Sequence, residues 1–311
     1  MNLAEGVEPT ICIVCGANKA AYLYSSFDRL YGLPGKFHVV RCEKCGFVYL
    51  NPRLPDNEMK KFYPEQYYSF LEWKEKVNLL RTLYRKMKWK TLSRFNITRF
   101  PGVPKYKAQG RILDFGCGSG EILAILKKAG WETYGIEIDS AAAEYARSKG
   151  LEVYGQDIKS IGFPDEHFDV IRMSSVLEHL YDVPQILDEF HRILKKEGRI
   201  LLVCPNIKSL SSRLFKERWF HLDLPRHLYH FSPATLVRLL NNHRFQVVSI
   251  RSCGSGGLLG SLDYLLNERK MSHGTKLFDI KILRFIIFIF FETWINRFRA
   301  GDLIEALARK I

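Results

Sequence analysis

Acid is scarce in this chain. Its 33 Asp and Glu stand against 47 Lys and Arg, a net charge of +14 over 311 residues. Between Glu75 and Asp114 there is no acidic residue, while Lys76, Arg81, Arg85, Lys86, Lys88, Lys90, Arg94, Arg99, Lys105, Lys107 and Arg111 all fall there. A surface of that sign draws phosphate-bearing partners, a membrane face or a nucleic acid, unless the stretch is a solvated connector. Long apolar runs are also missing. Ile282–Phe291 holds ten residues interrupted by Arg284, well short of the roughly 20 that span a bilayer. With Trp294 beside it, this run reads as an interfacial helix, a homodimer seam or a buried helix. No internal repeat and no low-complexity tract is present, which excludes solenoid and fibrous architectures. No secretory segment precedes the cysteines, so the expected compartment is cytoplasmic, possible contact with the inner membrane face included, and thiols there stay reduced.

Cysteine is sparse but patterned. Of seven, four form Cys12-Ile-Val-Cys15-Gly16 and Cys42-Glu-Lys-Cys45-Gly46, two matching knuckles separated by 26 residues. Two thiolates from each of two tight turns suit a tetrahedral Zn2+. Four thiolates fill that coordination sphere, so the expected role of Cys12, Cys15, Cys42 and Cys45 is structural. Cys117, Cys204 and Cys253 are scattered and read as small buried residues.

The most informative stretch is Gly110-Arg-Ile-Leu-Asp-Phe-Gly-Cys-Gly-Ser-Gly120. Arg111–Phe115 is an apolar run suited to a buried parallel strand. Gly116, Gly118 and Gly120 allow a tight turn with no Cβ in the way of a ligand, and a helix follows with Ile122, Leu123, Ile125 and Leu126 as its buried stripe. The spacing is G-x-G-x-G with Asp114 two residues ahead, not the G-x-G-x-x-G of dinucleotide binders. Asp114-x-Gly116-x-Gly118-x-Gly120 resembles the first motif of class I S-adenosylmethionine-dependent methyltransferases.

The downstream register extends the resemblance. Thr133–Ile138 reads as a second strand with Glu137, 21 residues after Gly116, at its tip for the ribose hydroxyls. Asp139 competes for that role. A helix at Ala141–Lys149, a third strand at Glu152–Tyr154 and Asp157 follow; the family usually places a carboxylate at the Asp157 position facing the adenine amino group, and a solvated loop acid is the alternative. Phe168–Met173 reads as the fourth strand, with Ser174 through Leu180 at its carboxyl end. Val183, Ile186, Leu187, Phe190 and Leu194 recur at helical spacing, with Lys195 and Lys196 at that helix's carboxyl end and Gly198 closing it. Arg199–Val203 is the fifth strand, Ser232 caps a helix begun by Pro233, Phe245–Ile250 is the sixth strand and Leu303–Arg309 the seventh, antiparallel one. This implies an α/β fold, a seven-stranded doubly wound Rossmann-like sheet, preceded by a small zinc-ribbon-like module.

The expected domains are 1–69 for the zinc module, 70–109 for a basic helical connector hinged near Phe100–Pro104, and 110–311 for the S-adenosylmethionine-binding domain, with an apolar helical insertion near 258–300. The resemblance implies S-adenosylmethionine as cofactor, with Asp114, Gly116, Cys117, Gly118, Gly120, Glu137, Asp157 and Ser174 around it. Cys45-Gly-Phe-Val-Tyr-Leu-Asn-Pro-Arg53, Phe62-Tyr63-Pro64 and Tyr67-Tyr68 are similar to the amino-terminal pattern of a bacterial family associated with sugar and polysaccharide methylation. Sugar C-methyltransferases that share the zinc module are longer, which points here to O-methylation of a saccharide or lipid-linked glycan. A hydroxyl acceptor needs a base, and His179, His227 and His230 are the candidates, with Arg226 and Tyr229 as possible holders of a phosphate or sugar ring. An RNA methyltransferase is the first rival; a non-catalytic binding protein that keeps the fold is the second.

Overall fold

In a computed structural model, residues 6–64, 110–254, 257–266 and 300–311 are described. The connector at 70–109 and most of the insertion expected near 258–300, including the apolar run at 282–291, lie outside them. In chain order the strands are β1 (Ala20–Ser26), β2 (Phe37–Cys42), β3 (Val48–Leu50), β4 (Arg111–Phe115), β5 (Glu132–Ile136), β6 (Glu152–Tyr154), β7 (Phe168–Ser174), β8 (Leu194–Pro205), β9 (Tyr229–His230), β10 (Phe245–Cys253) and β11 (Leu303–Lys310).

Seven of these form one sheet in the order β10-β11-β8-β7-β4-β5-β6. β7, β4, β5 and β6 run parallel, as does the β7–β8 pair, and β11 is inserted antiparallel between β8 and β10. Because β4 has neighbours that lead the chain in opposite directions, its carboxyl end lies at the switch point of the sheet, where such folds open a crevice for ligands. Ile112, Leu113, Ile171, Met173, Ile200 and Leu202 are essentially inaccessible, as strands covered on both faces require. The helix at Pro233–Asn242 has the cap read from the sequence: the Ser232 side chain accepts from Thr235 N, and the Thr235 side chain answers from the Ser232 N–H.

Two readings of the sequence are corrected. The helix that begins at Val183 ends at Ile193, and Leu194 opens a twelve-residue strand. Leu194 pairs with Phe168 and is fully buried, while Lys195 Nζ reaches Asp169 Oδ2 at 2.8 Å. Strand pairing and that ion pair outweigh the helical periodicity, so Lys195 and Lys196 do not serve a helix end and Gly198 does not close one. The cysteine-bearing segment is also not a separate body. β1, β2 and β3 form an antiparallel sheet whose fourth member is β9, from the far side of the chain, with Val48 opposite His230 and Tyr49 opposite Tyr229. Phe47, Tyr49, Tyr229 and Phe231 pack ring against ring at this seam, and one hydrophobic core runs continuously from Cys12 to Ala308. Among the described residues no helix is long and apolar enough to cross a membrane.

Candidate active site

The glycine turn after β4 is held open by backbone geometry. Gly116, Gly118 and Gly120 have φ of +76°, +53° and +75°, the left-handed region that side chains with a Cβ resist. The N–H groups of Gly116 and Cys117 both donate to the Ile136 carbonyl, at 2.8 and 3.0 Å, which ties the turn to the tip of β5. A Cβ at Gly116 would overlap Val176, and one at Gly120 would overlap Leu151; both glycines allow close packing. Gly118 differs. A Cβ there would meet no atom within 4 Å, so the turn presents open space at its middle. The Cys117 thiol is buried among Leu123, Ala143 and Val153, so what Cys117 offers a ligand is its backbone.

Acidic side chains frame the turn. Asp114 is fully buried; its Oδ1 lies 2.5 Å from Arg172 Nη1, while Oδ2 has no hydrogen-bond partner among the described residues. Burial pushes the Asp114 pKa up against the opposing pull of Arg172. Glu137 follows β5 and accepts from Gly118 N at 2.8 Å through Oε2 and from Asp139 N at 2.9 Å through Oε1. Its pKa is raised by burial, with those two N–H groups opposing. The neighbouring Asp139 is spent otherwise: its Oδ1 accepts from Ala142 N at 2.7 Å and caps the helix Ser140–Ser148. Asp157 is exposed and caps the short helix Ile158–Ile161 by accepting from Lys159 N. Ser174 is the half-buried last residue of β7, opposite Val203. The cradle thus combines an open glycine, free acceptor capacity on Asp114 and Glu137, and a position at the sheet switch point. These features fit S-adenosylmethionine.

A model of the methyltransferase domain matches residues 84–250, a little over half of the chain. The chain belongs to that family. Residues 84–250 are its methyltransferase domain. Among curated proteins, an uncharacterized methyltransferase (YcgJ) of Bacillus subtilis is 35% identical over 104 residues, covering 31% of this chain and 41% of that protein. A probable S-adenosylmethionine-dependent methyltransferase of Mycolicibacterium smegmatis is 24% identical over 185 residues, 58% of this chain and 66% of the relative. A malonyl-[acyl-carrier protein] O-methyltransferase of Serratia marcescens is 26% identical over 130 residues, 41% of this chain and 50% of the relative. This methyltransferase therefore spans between two fifths and two thirds of the length of these relatives. Among solved structures, a SAM-dependent methyltransferase from Archaeoglobus fulgidus is similar over 73% of this chain and 94% of its own, at 24% identity and TM-score 0.48.

Beyond the cradle, β7 leads through Ser175, itself at φ +55°, to Val176 over Gly116 and then to the 3-10 turn Leu177–His179. Leu228 N donates to the Glu178 carbonyl at 2.8 Å, which brings the segment Arg226–His230 against this turn. The rings of His179 and His227 meet edge to face with centroids 4.6 Å apart. His179 Nδ1 lies 3.0 Å from the Tyr63 hydroxyl and 3.1 Å from the Arg226 carbonyl; His227 Nδ1 lies 2.8 Å from the His221 carbonyl. Glu178 is fully buried and neither carboxylate oxygen has a hydrogen-bond partner among the described residues. Burial pushes the Glu178 pKa up to about 8 and that of His179 down to about 4, and holds His227 well below its ordinary value.

Three expectations change here. His230 does not rim the site: it lies on β9, fully enclosed near Trp219, with neither ring nitrogen partnered among the described residues. Arg226 is not free for a phosphate, since it is fully buried between Asp28 and Asp223, with Nη2 at 2.7 and 2.6 Å, and donates to the Phe62 carbonyl. Tyr229 is buried as well, with Arg53 Nη1 donating to its hydroxyl at 3.1 Å. Sequence reasoning missed Tyr63 and Asp223 as neighbours of the histidines. Asp223 stands three residues before Arg226, a spacing that signals a local ion pair, whereas nothing in the sequence joins Tyr63 to His179 across 116 residues.

The four knuckle cysteines also converge. Their sulfurs all lie within 4.8 Å of one another, with Cys12–Cys45 at 3.4 Å and Cys15–Cys42 at 3.5 Å, and all four are free thiols. Gly16 and Gly46 take φ of +69° and +74°, and their N–H groups donate back to the carbonyls of Cys12 and Cys42. Two equivalent turns facing each other make a donor set that fits a tetrahedral metal.

Proposed function

We propose that this methyltransferase places its methyl group on a hydroxyl oxygen of a saccharide or lipid-linked glycan, and that the four-cysteine cluster holds a structural zinc. The observation that carries the acceptor reading is the set Glu178, His179 and His227 beside the cradle, a buried carboxyl without a hydrogen-bond partner among the described residues and two imidazoles whose Nδ1 atoms meet backbone carbonyls. A hydroxyl must lose its proton as its oxygen is methylated, and a neutral imidazole or a carboxylate is the group for that task. S-adenosylmethionine, when bound, supplies an electrophilic methyl on a sulfonium. The residues of this chain align and desolvate: Glu137 and the glycine turn hold the donor side, and the β7 extension holds the acceptor side.

The saccharide class is supported by the similarity of the four-cysteine segment to that of the sugar-associated family. The structural-zinc reading rests on the seam between β3 and β9, because the metal would brace the sheet that carries His227 into place. A lipid-linked acceptor is supported by the basic composition of 76–111 and the apolar run 282–291, both suited to an anionic membrane face.

The test is methyl transfer from labelled S-adenosylmethionine to a nucleotide sugar, a lipid-linked oligosaccharide, an acyl-carrier-protein carboxylate and RNA, with the methylated atom located by mass spectrometry. An O-methyl sugar is the expected product. Label found only on RNA or on a carboxylate overturns the reading.

A further inference from the structure

The geometry points to a second metal site, distinct from the cysteine cluster: Glu178, His179 and His227 bind one divalent first-row transition metal, leaving coordination positions for the acceptor hydroxyl. The role toward the acceptor rests on the reading above; the metal site itself does not.

A carbonyl oxygen only accepts, so the contact of His227 Nδ1 to the His221 carbonyl at 2.8 Å puts the N–H of that ring on Nδ1. A metal on Nε2 requires the same tautomer of His179, whose Nδ1–H is then shared between the Arg226 carbonyl at 3.1 Å and the Tyr63 hydroxyl at 3.0 Å. The neutral rings then carry their lone pairs on Nε2. Donation of the other ring N–H to a carbonyl is the arrangement that orients a metal-binding histidine. The third member, Glu178, has two buried oxygens without a partner among the described residues. One ligand atom from each of the three lies within 4.8 Å of the others. His227 Nε2 also stands 3.8 Å from Asp223 Oδ2, another acceptor.

One carboxylate and two imidazoles thus bring ligand atoms within 4.8 Å of one another in buried surroundings. Buried polar groups left unpaired are costly. Either a cation lies among them, or Glu178 takes a proton and donates it to a ring. Two nitrogens and a carboxylate suit zinc, cobalt, iron or manganese in the divalent state, and three protein ligands leave the open position that catalytic sites keep. With their lone pairs on the cation these three groups would not take the proton themselves; the cation would instead acidify a bound hydroxyl, whose proton would leave through water. The hydroxyl oxygen forms the new C–O bond as the S–C bond breaks and that electron pair returns to sulfur.

Co2+ tests this on the full chain with zinc retained at the cysteines, by calorimetric titration and visible absorption. Wild type is expected to take up one Co2+ with the weak bands of nitrogen and oxygen ligation and no thiolate charge-transfer band. Glu178→Gln and His227→Gln are each expected to lose about tenfold or more in Co2+ affinity, while S-adenosylmethionine affinity, which reports the fold, stays near wild type. No uptake, or equal uptake by both variants, overturns the site and leaves a protonated Glu178. Should the variants fail to fold, X-ray absorption on cobalt-loaded wild type decides: a shell of nitrogen and oxygen supports the site, and a sulfur shell overturns it. Cobalt binding without any O-methylated glycan would defeat the acceptor reading alone.

Discussion

Gly116 and Gly118 stand two residues apart in the same turn, yet substituting them should damage different properties. At Gly116 a Cβ would overlap Val176, and φ is +76°. Left-handed backbone costs a residue with a Cβ about 1–2 kcal/mol, and overpacking a close contact adds about 1–3 kcal/mol. Gly116→Ala is therefore expected to destabilise the free protein by about 2–5 kcal/mol, read as a lower urea midpoint at unchanged slope. Trimming the obstructing side chain should recover the packing part only, so Gly116→Ala with Val176→Ala should lie above the single variant once the loss from Val176→Ala alone is subtracted. At Gly118 a Cβ meets nothing within 4 Å and φ is +53°. Gly118→Val then carries only the backbone cost, about 1–2 kcal/mol, and the fold persists. Its side chain occupies the space offered to S-adenosylmethionine, and calorimetry should detect no binding. Affinity of Gly118→Val within about threefold of wild type, under 1 kcal/mol, would refute the cradle; a Gly116→Ala protein as stable as wild type would refute the packing argument.

Glu137→Ala should weaken S-adenosylmethionine binding by about 1–3 kcal/mol, the cost of leaving buried polar groups unpaired. Asp139→Ala should lose about 1 kcal/mol of stability as a removed helix cap and leave affinity intact; the reverse outcome would move the ribose contact to Asp139. Metal analysis should find zinc in the wild type that is lost, with a lower melting temperature, in Cys12→Ser or Cys45→Ser, and iron in its place, or no metal at all, would contradict the structural-zinc reading. Burial depresses the His230 pKa from an ordinary 6.5 to about 3, so the folded state binds fewer protons than the unfolded one, and stability present above pH 6.5 drains away as pH falls toward 3. By linkage this contribution amounts to about 2 kcal/mol lost between the ordinary pKa and about pH 5. His230→Leu should flatten that part of the urea-derived stability profile, and an unchanged difference between the two proteins across this range would show that His230 is not enclosed.

The features legible in the sequence are those whose causes lie within a few residues. The three glycines of the β4 turn, the cap Ser232-Pro233, the paired Cys-x-x-Cys-Gly knuckles and the antiparallel last strand were all expected and found, because backbone sterics, capping and turn chemistry act locally. Local pattern also misled once. Val183 to Leu194 keeps a helical period, and only pairing with Phe168 in the sheet makes Leu194 the first residue of a strand.

What the chain could not declare by itself is which distant segments share a surface. The sequence determined a cofactor turn, a family and a thiol cluster. Tertiary structure decided that β9 joins the cysteine-bearing sheet, that Arg226 is consumed by Asp28 from 198 residues away, and that His179 and His227 face each other while His230 is sealed off. The reason is physical. A buried charge or lone pair must find its partner wherever packing brings one, and periodicity along the chain carries no record of that meeting.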